Sequence, residues 1–158
     1  MGRLLHLARR FFQSLKTRPL NPTEQLRVSG WLRDCEAALF WRQQQIDQRH
    51  ALTCAGVIAD RQPLRTDLIR AALLHDIGKR HSTLGVSGRV IASSLDLMRL
   101  PTPGRLGRYL NHGQLGAADL TLLDVEPIVI AFATGHHGTC PPGIDPDDWS
   151  LLQEADGK

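Results

Sequence analysis

Leu74-His75-Asp76-Ile77-Gly78-Lys79 sets an imidazole beside a carboxylate, directly after an apolar run (Ala71, Ala72, Leu73, Leu74) that reads as buried helix. Neither side chain is easily buried without a partner, and a metal ion is one partner that satisfies both. Four other places have the same character: His50, His112, His136-His137 and Asp156, each on or at the end of a helix-like stretch with apolar neighbours. Together they offer only imidazole and carboxylate donors, the N/O set of catalytic transition-metal sites. Singly, each has a plainer role. His50 suits a core histidine, His112 a cap or loop residue, His136-His137 a cationic helix C-terminus and Asp156 a chain tail. His6 and His81 lack such a setting.

Donors this far apart in sequence meet only if several helices project them inward onto one point. Asn21-Pro22-Thr23-Glu24 is a helix start, with Asn21 as N-cap, Pro22 at N1 and Glu24 reaching back from N3. That helix is expected to run to about Asp34. The next begins near Glu36 or Arg42 and carries Ile46, His50, Ala51, Cys54, Val57 and Ile58 at helical intervals, which puts His50 on or beside the apolar stripe. After the break at Gln62-Pro63, Thr66 is expected to cap a helix that passes through His75 and stops with Gly78 as its C′ residue. Further helical stretches are expected at Val90 to Met98, Arg105 to Asn111, Leu115 to Leu123, Ile128 to Thr134 and Trp149 to Asp156, the last capped by Asp145. Alternating extended runs are scarce, and the reading is all-α, a compact single-domain helical bundle.

A chain of 158 residues with 42% hydrophobic and 22% charged residues can bury a core without disulfides. Cys35, Cys54 and Cys140 are odd in number with no C-x-x-C spacing, which suits reduced thiols and a cytoplasmic location. No apolar run approaches the ~20 residues of a membrane span. Residues 1–20 combine Arg3, Arg9, Arg10, Lys16 and Arg18 with Leu4, Leu5, Leu7, Phe11, Phe12 and Leu15, a basic amphipathic arm. Its expected roles are packing on the domain or a partner, or weak membrane-surface contact through residues 1–18. The net charge of +3 is modest and aromatic-basic repeats are absent, so no nucleic acid is expected as a partner.

The order His, His-Asp, His, His-His, Asp, with the string His75-Asp76-Ile77-Gly78-Lys79, resembles the HD superfamily of metal-dependent phosphohydrolases. The resemblance implies the HD-domain fold, with a domain over residues 21–158 whose ligand-bearing core covers roughly residues 42–156. It implies His50, His75, Asp76 and Asp156 as ligands of a first metal ion. Asp76 would bridge to a second ion held by His112 and His136. His137 matches the paired histidine of the cyclic-dinucleotide phosphodiesterase branch, where that residue is also ligand-like. Ile46 stands where trinuclear members carry Glu, and Gly138-Thr139-Cys140 follows His137 in place of a Gly-Tyr-Pro element. Both features depart from a dedicated cyclic-dinucleotide phosphodiesterase.

The implied cofactors are two divalent ions from among Mn²⁺, Fe²⁺, Co²⁺ and Ni²⁺, which activate water and neutralise phosphoryl oxygens. The expected activity is hydrolysis of a phosphate mono- or diester of a small metabolite or nucleotide, with Asp76 at its centre. Lys79 is a candidate point charge for the substrate phosphate, against a plain role as a lysine at a helix C-terminus. Arg49 is a second candidate of that kind. The loops from Arg80 to Arg89 and from Leu100 to Arg108 are expected to meet the substrate. Two other readings keep the same residues: a di-iron centre that activates O₂, and a catalytically silent regulatory module.

Overall fold

The Asn21 side chain accepts the Glu24 N–H at 2.9 Å, and Glu24 accepts the Asn21 N–H at 2.7 Å. This reciprocal capping box, with Pro22 at the first position, starts α1 (Pro22–Trp31) as its sequence requires. The computed structural model describes residues 18–157, which hold nine α-helices, one 3₁₀ helix and no strand. The basic arm expected over residues 1–20 lies almost wholly outside the described residues.

Where one helix is expected from Glu36 or Arg42, two form, α2 (Asp34–Phe40) and α3 (Gln45–Arg61). The chain turns between them because the Gln43 N–H bonds the Phe40 carbonyl at 3.0 Å, and Gln48 Nε2 donates to the Gln43 carbonyl at 3.0 Å. Next comes α4 (Thr66–Leu74), in which every residue from Leu68 to Leu74 is buried. Its N-cap is Arg65 rather than Thr66, with the guanidinium held by Asp67 and Asp148.

This helix ends at Leu74, ahead of the stop expected at Gly78. His75 Nδ1 donates back to the Ala72 carbonyl at 2.9 Å, and a 3₁₀ helix (Ile77–His81) takes over. Gly78 is not a left-handed cap; the positive-φ glycines among the described residues are Gly104 and Gly143. It is there for close approach. A Cβ at Gly78 would sit 1.8 Å from the His112 carbonyl oxygen and 2.6 Å from the Gly116 nitrogen.

The rest of the chain supplies α5 (Val86–Leu97), α6 (Arg105–Leu110), α7 (His112–Thr121), α8 (Pro127–Gly135) and α9 (Pro146–Asp156). The apolar α4 is the central rod, packed against α3, α8 and α9, while α7 lies along α8 and covers the 3₁₀ helix. Ile58, Leu68, Leu73, Phe132 and Leu152 form the fully buried floor between them. Among the described residues no helix is long and apolar enough to cross a membrane.

One charge interrupts that floor. Arg70, midway along α4, donates to the buried Glu36 carboxylate of α2 and, at 2.5 Å, to Glu126 before α8. Burial pushes Glu36 up, but the hydrogen bonds from Arg70 and Arg33 outweigh it and hold the carboxyl below its ordinary 4.5. A depressed folded-state pKa means stability that is present above 4.5 and lost as the pH falls through the lowered value. The difference in urea midpoint between the wild type and Glu36→Gln is therefore expected to close on acidification below pH 4.5. A difference that stays constant through that window would show that Glu36 is not a linked carboxylate.

Candidate metal centre

The site lies where α4 runs out. His75 and Asp76 sit at its C-terminal end, 0% and 1% exposed, because the apolar stripe that buries α4 carries straight into them. His50 reaches the same point from α3, His112 from the start of α7, His136 from the end of α8 and Asp156 from the last turn of α9. Asp156 is thus not a frayed tail residue. Its helix is capped by Asp145, which accepts the N–H groups of Asp147 and Asp148, and Ala155 is buried beside it.

The donors form two overlapping sets around the carboxylates. On one side, Asp156 Oδ1 lies 2.9 Å from His50 Nε2 and 3.3 Å from His75 Nε2, and Asp76 Oδ2 lies 3.4 Å from His75 Nε2. On the other, Asp76 Oδ1 lies 3.2 Å from His112 Nε2 and 3.9 Å from His136 Nε2. His50, His75 and Asp76 have one donor atom each within 4.8 Å of one another, and so do Asp76, His112 and His136. His75, His136 and Asp156 form a further such group, which joins the two sides.

Two of the imidazoles are pre-oriented. A carbonyl can only accept, so His75 Nδ1 donates to Ala72 and His112 Nδ1 donates to Tyr109 at 2.7 Å. In the neutral rings each Nε2 is then a lone pair aimed at the centre, the second-shell arrangement of metal-binding histidines. His75 Nε2, His112 Nε2, Asp76 Oδ1 and His136 Nδ1 are buried with no hydrogen-bond partner. Unsatisfied buried polar atoms are rare in folded proteins, and three of these, His75 Nε2, His112 Nε2 and Asp76 Oδ1, lie around the carboxylate centre, which fits a cation site.

The charge balance agrees. Burial pushes His75 down, yet the Asp76 and Asp156 carboxylates outweigh it and hold it up at about 10. Burial pushes Asp76 up, and Lys79 with His75 more than offsets this, holding it well below the usual carboxylate range. His136 is pushed down by burial and by the charge of His75 to about 2, so it stays neutral. Two buried carboxylates thus draw positive charge to this point, a role that a divalent ion can fill with release of the His75 proton.

Three of the sequence-predicted residues stand apart. His137 is at the rim, its side chain 66% exposed and its Nδ1 3.6 Å from Asp156 Oδ2, and it joins neither set. The Lys79 ammonium is buried against Asp76 itself, as an i,i+3 ion pair. Arg49 is engaged elsewhere, by Glu24 and the carbonyls of Arg18 and Pro19. Cys54 was legible only as part of an apolar stripe, yet its Sγ lies beside His50. The signal that finds it is its position one helical turn after a candidate ligand.

A bundle that buries histidines and aspartates around one point, with donors pre-oriented and unsatisfied, is the construction of an HD-type metal-dependent hydrolase. A family model described as Cas3, HD domain matches residues 26–156, and the chain belongs to that family. HD domains bind divalent metal ions. The match begins well ahead of the ligand-bearing part, within α1. No curated protein and no solved structure matches the chain.

Proposed function

We propose that the chain is a metal-dependent phosphodiester hydrolase that cleaves a nucleic-acid strand at a centre of two divalent ions. Asp76 carries the reading: a single buried carboxylate has one oxygen toward His75 and the other toward His112 and His136. His50, His75, Asp76 and Asp156 would hold one ion, and Asp76, His112 and His136 the other. Two bound ions supply Lewis acidity at the phosphorus and an ionised water at neutral pH. The chain does the positioning. The Ala72 and Tyr109 carbonyls fix two imidazoles, and Lys79 offsets part of the charge of Asp76 before any ion arrives.

The substrate class comes from the family, whose HD domain acts on nucleic acid, and it departs from the expectation of no nucleic-acid partner. A second reading, a small phosphorylated metabolite or nucleotide, is favoured by one observation. Three of the four arginines of the two substrate loops are tied up internally: Arg80 by Asp119, Arg89 by Asp47, and Arg105 by the Ser82 and Thr83 backbone. They do not form a track for a polyanion.

One panel separates the two. The protein is loaded in turn with Mn²⁺, Fe²⁺, Co²⁺ and Ni²⁺ and given single-stranded DNA, RNA, nucleotides and sugar phosphates. Shortened oligonucleotides are expected, lost with EDTA and restored by added metal. Turnover of small phosphates alone would favour the second reading, and no product from any substrate would overturn both.

A further inference from the structure

Cys54 lies one turn beyond His50 on α3, 2% exposed, with Sγ 3.7 Å from Nε2 and 3.8 Å from Nδ1 of that ring. His50 Nε2 in turn lies 2.9 Å from Asp156 Oδ1. One donor atom each from His50, Cys54 and Asp156 falls within 4.8 Å of the others. A separate observation marks this space as made for a ligand. His75 Nε2, on a side chain 0% exposed, has no hydrogen-bond partner and faces the same Asp156 oxygen at 3.3 Å. The other two thiols have no part in it: Cys35 is exposed, and Cys140 donates to the Pro141 and Ile144 carbonyls.

The geometry points to Cys54 as a thiolate ligand of the ion held by His50 and Asp156. This rests on the reading of the His/Asp cluster as a metal centre. On binding, the S–H bond breaks, its proton passes to solvent and the sulfur electron pair forms the bond to the ion, with no change of oxidation state. Imidazole and carboxylate donors alone accept Mn²⁺ readily. A thiolate is soft, and shifts the preference of that position toward Zn²⁺, Co²⁺ and Fe²⁺. The sulfur therefore acts as a metal-selecting group on one side of the centre, while the Asp76–His112–His136 side keeps only N and O donors.

The test is the absorption spectrum of the full chain loaded with Co²⁺. Once free Co²⁺ is removed by desalting, visible d–d bands report bound Co²⁺ whatever its ligands, and a near-ultraviolet sulfur-to-cobalt charge-transfer band reports a thiolate ligand. Both are expected in the wild type. The charge-transfer band is lost in Cys54→Ser, where Co²⁺ affinity also falls relative to Mn²⁺. It persists in Cys35→Ser/Cys140→Ser, which leaves Cys54 as the one thiol and decides the matter even if Cys54→Ser does not fold. Visible bands without charge transfer in the wild type would overturn Cys54 as a ligand and leave the metal centre standing. Absence of the visible bands as well would overturn the metal centre and this proposal with it.

Discussion

Asp76→Asn is expected to lower hydrolysis by about 10³-fold or more, because on the proposed reading it weakens the donor shared by two ions and so forfeits several kcal/mol of Lewis-acid stabilisation. Metal content after desalting should fall in parallel. Stability should fall too, since the Lys79 ammonium, 7% exposed, loses its carboxylate partner. Removing one member of a buried pair costs about 3–5 kcal/mol. Asp76→Asn/Lys79→Met separates the two effects, with much of the urea midpoint recovered and the activity still absent. Hydrolysis within a few-fold of wild type in Asp76→Asn would remove Asp76 from the chemistry.

Gly78→Ala is expected to be severe for a reason that has nothing to do with backbone dihedrals. The added methyl would meet the His112 carbonyl oxygen at 1.8 Å and the Gly116 nitrogen at 2.6 Å, both backbone atoms that cannot rotate away. The 3₁₀ helix and α7 would have to separate. Overpacking of this kind costs about 3 kcal/mol or more, a Tm lower by about 6–12 °C for a chain of this size. The same displacement would carry His112 off Asp76 and lower the affinity of that ion position. Calorimetry with metal titration checks both, and a Tm within a degree of wild type would show that the two elements do not pack as described.

These two residues mark what could and could not be seen beforehand. His75-Asp76 was legible because burying an imidazole and a carboxylate together is costly, and an apolar run leading into them announces that they are buried. The capped starts at Asn21 and Asp145 were legible because a cap is written within a few residues. Gly78 reads along the chain as a helix stop, whereas the helix ends at Leu74. A helix-ending glycine and a close-approach glycine look alike along the chain, and the element that presses on Gly78 begins at His112. The same limit hid the Glu36–Arg70–Glu126 bridge, whose members come from three separate segments.

Local rules decide what is decided locally. The all-helical class, the candidate donor residues and the HD-type family follow from sequence, because periodicity, capping and residue chemistry act over a turn or two. Which donors face which carboxylate oxygen, that Arg49 turns away to Glu24 while Lys79 pairs with Asp76, that His137 stays at the rim and that Cys54 stands beside His50 were decided only by how the helices pack. Helix packing sets distances between side chains many residues apart to a fraction of an ångström, and no short-range rule contains that information.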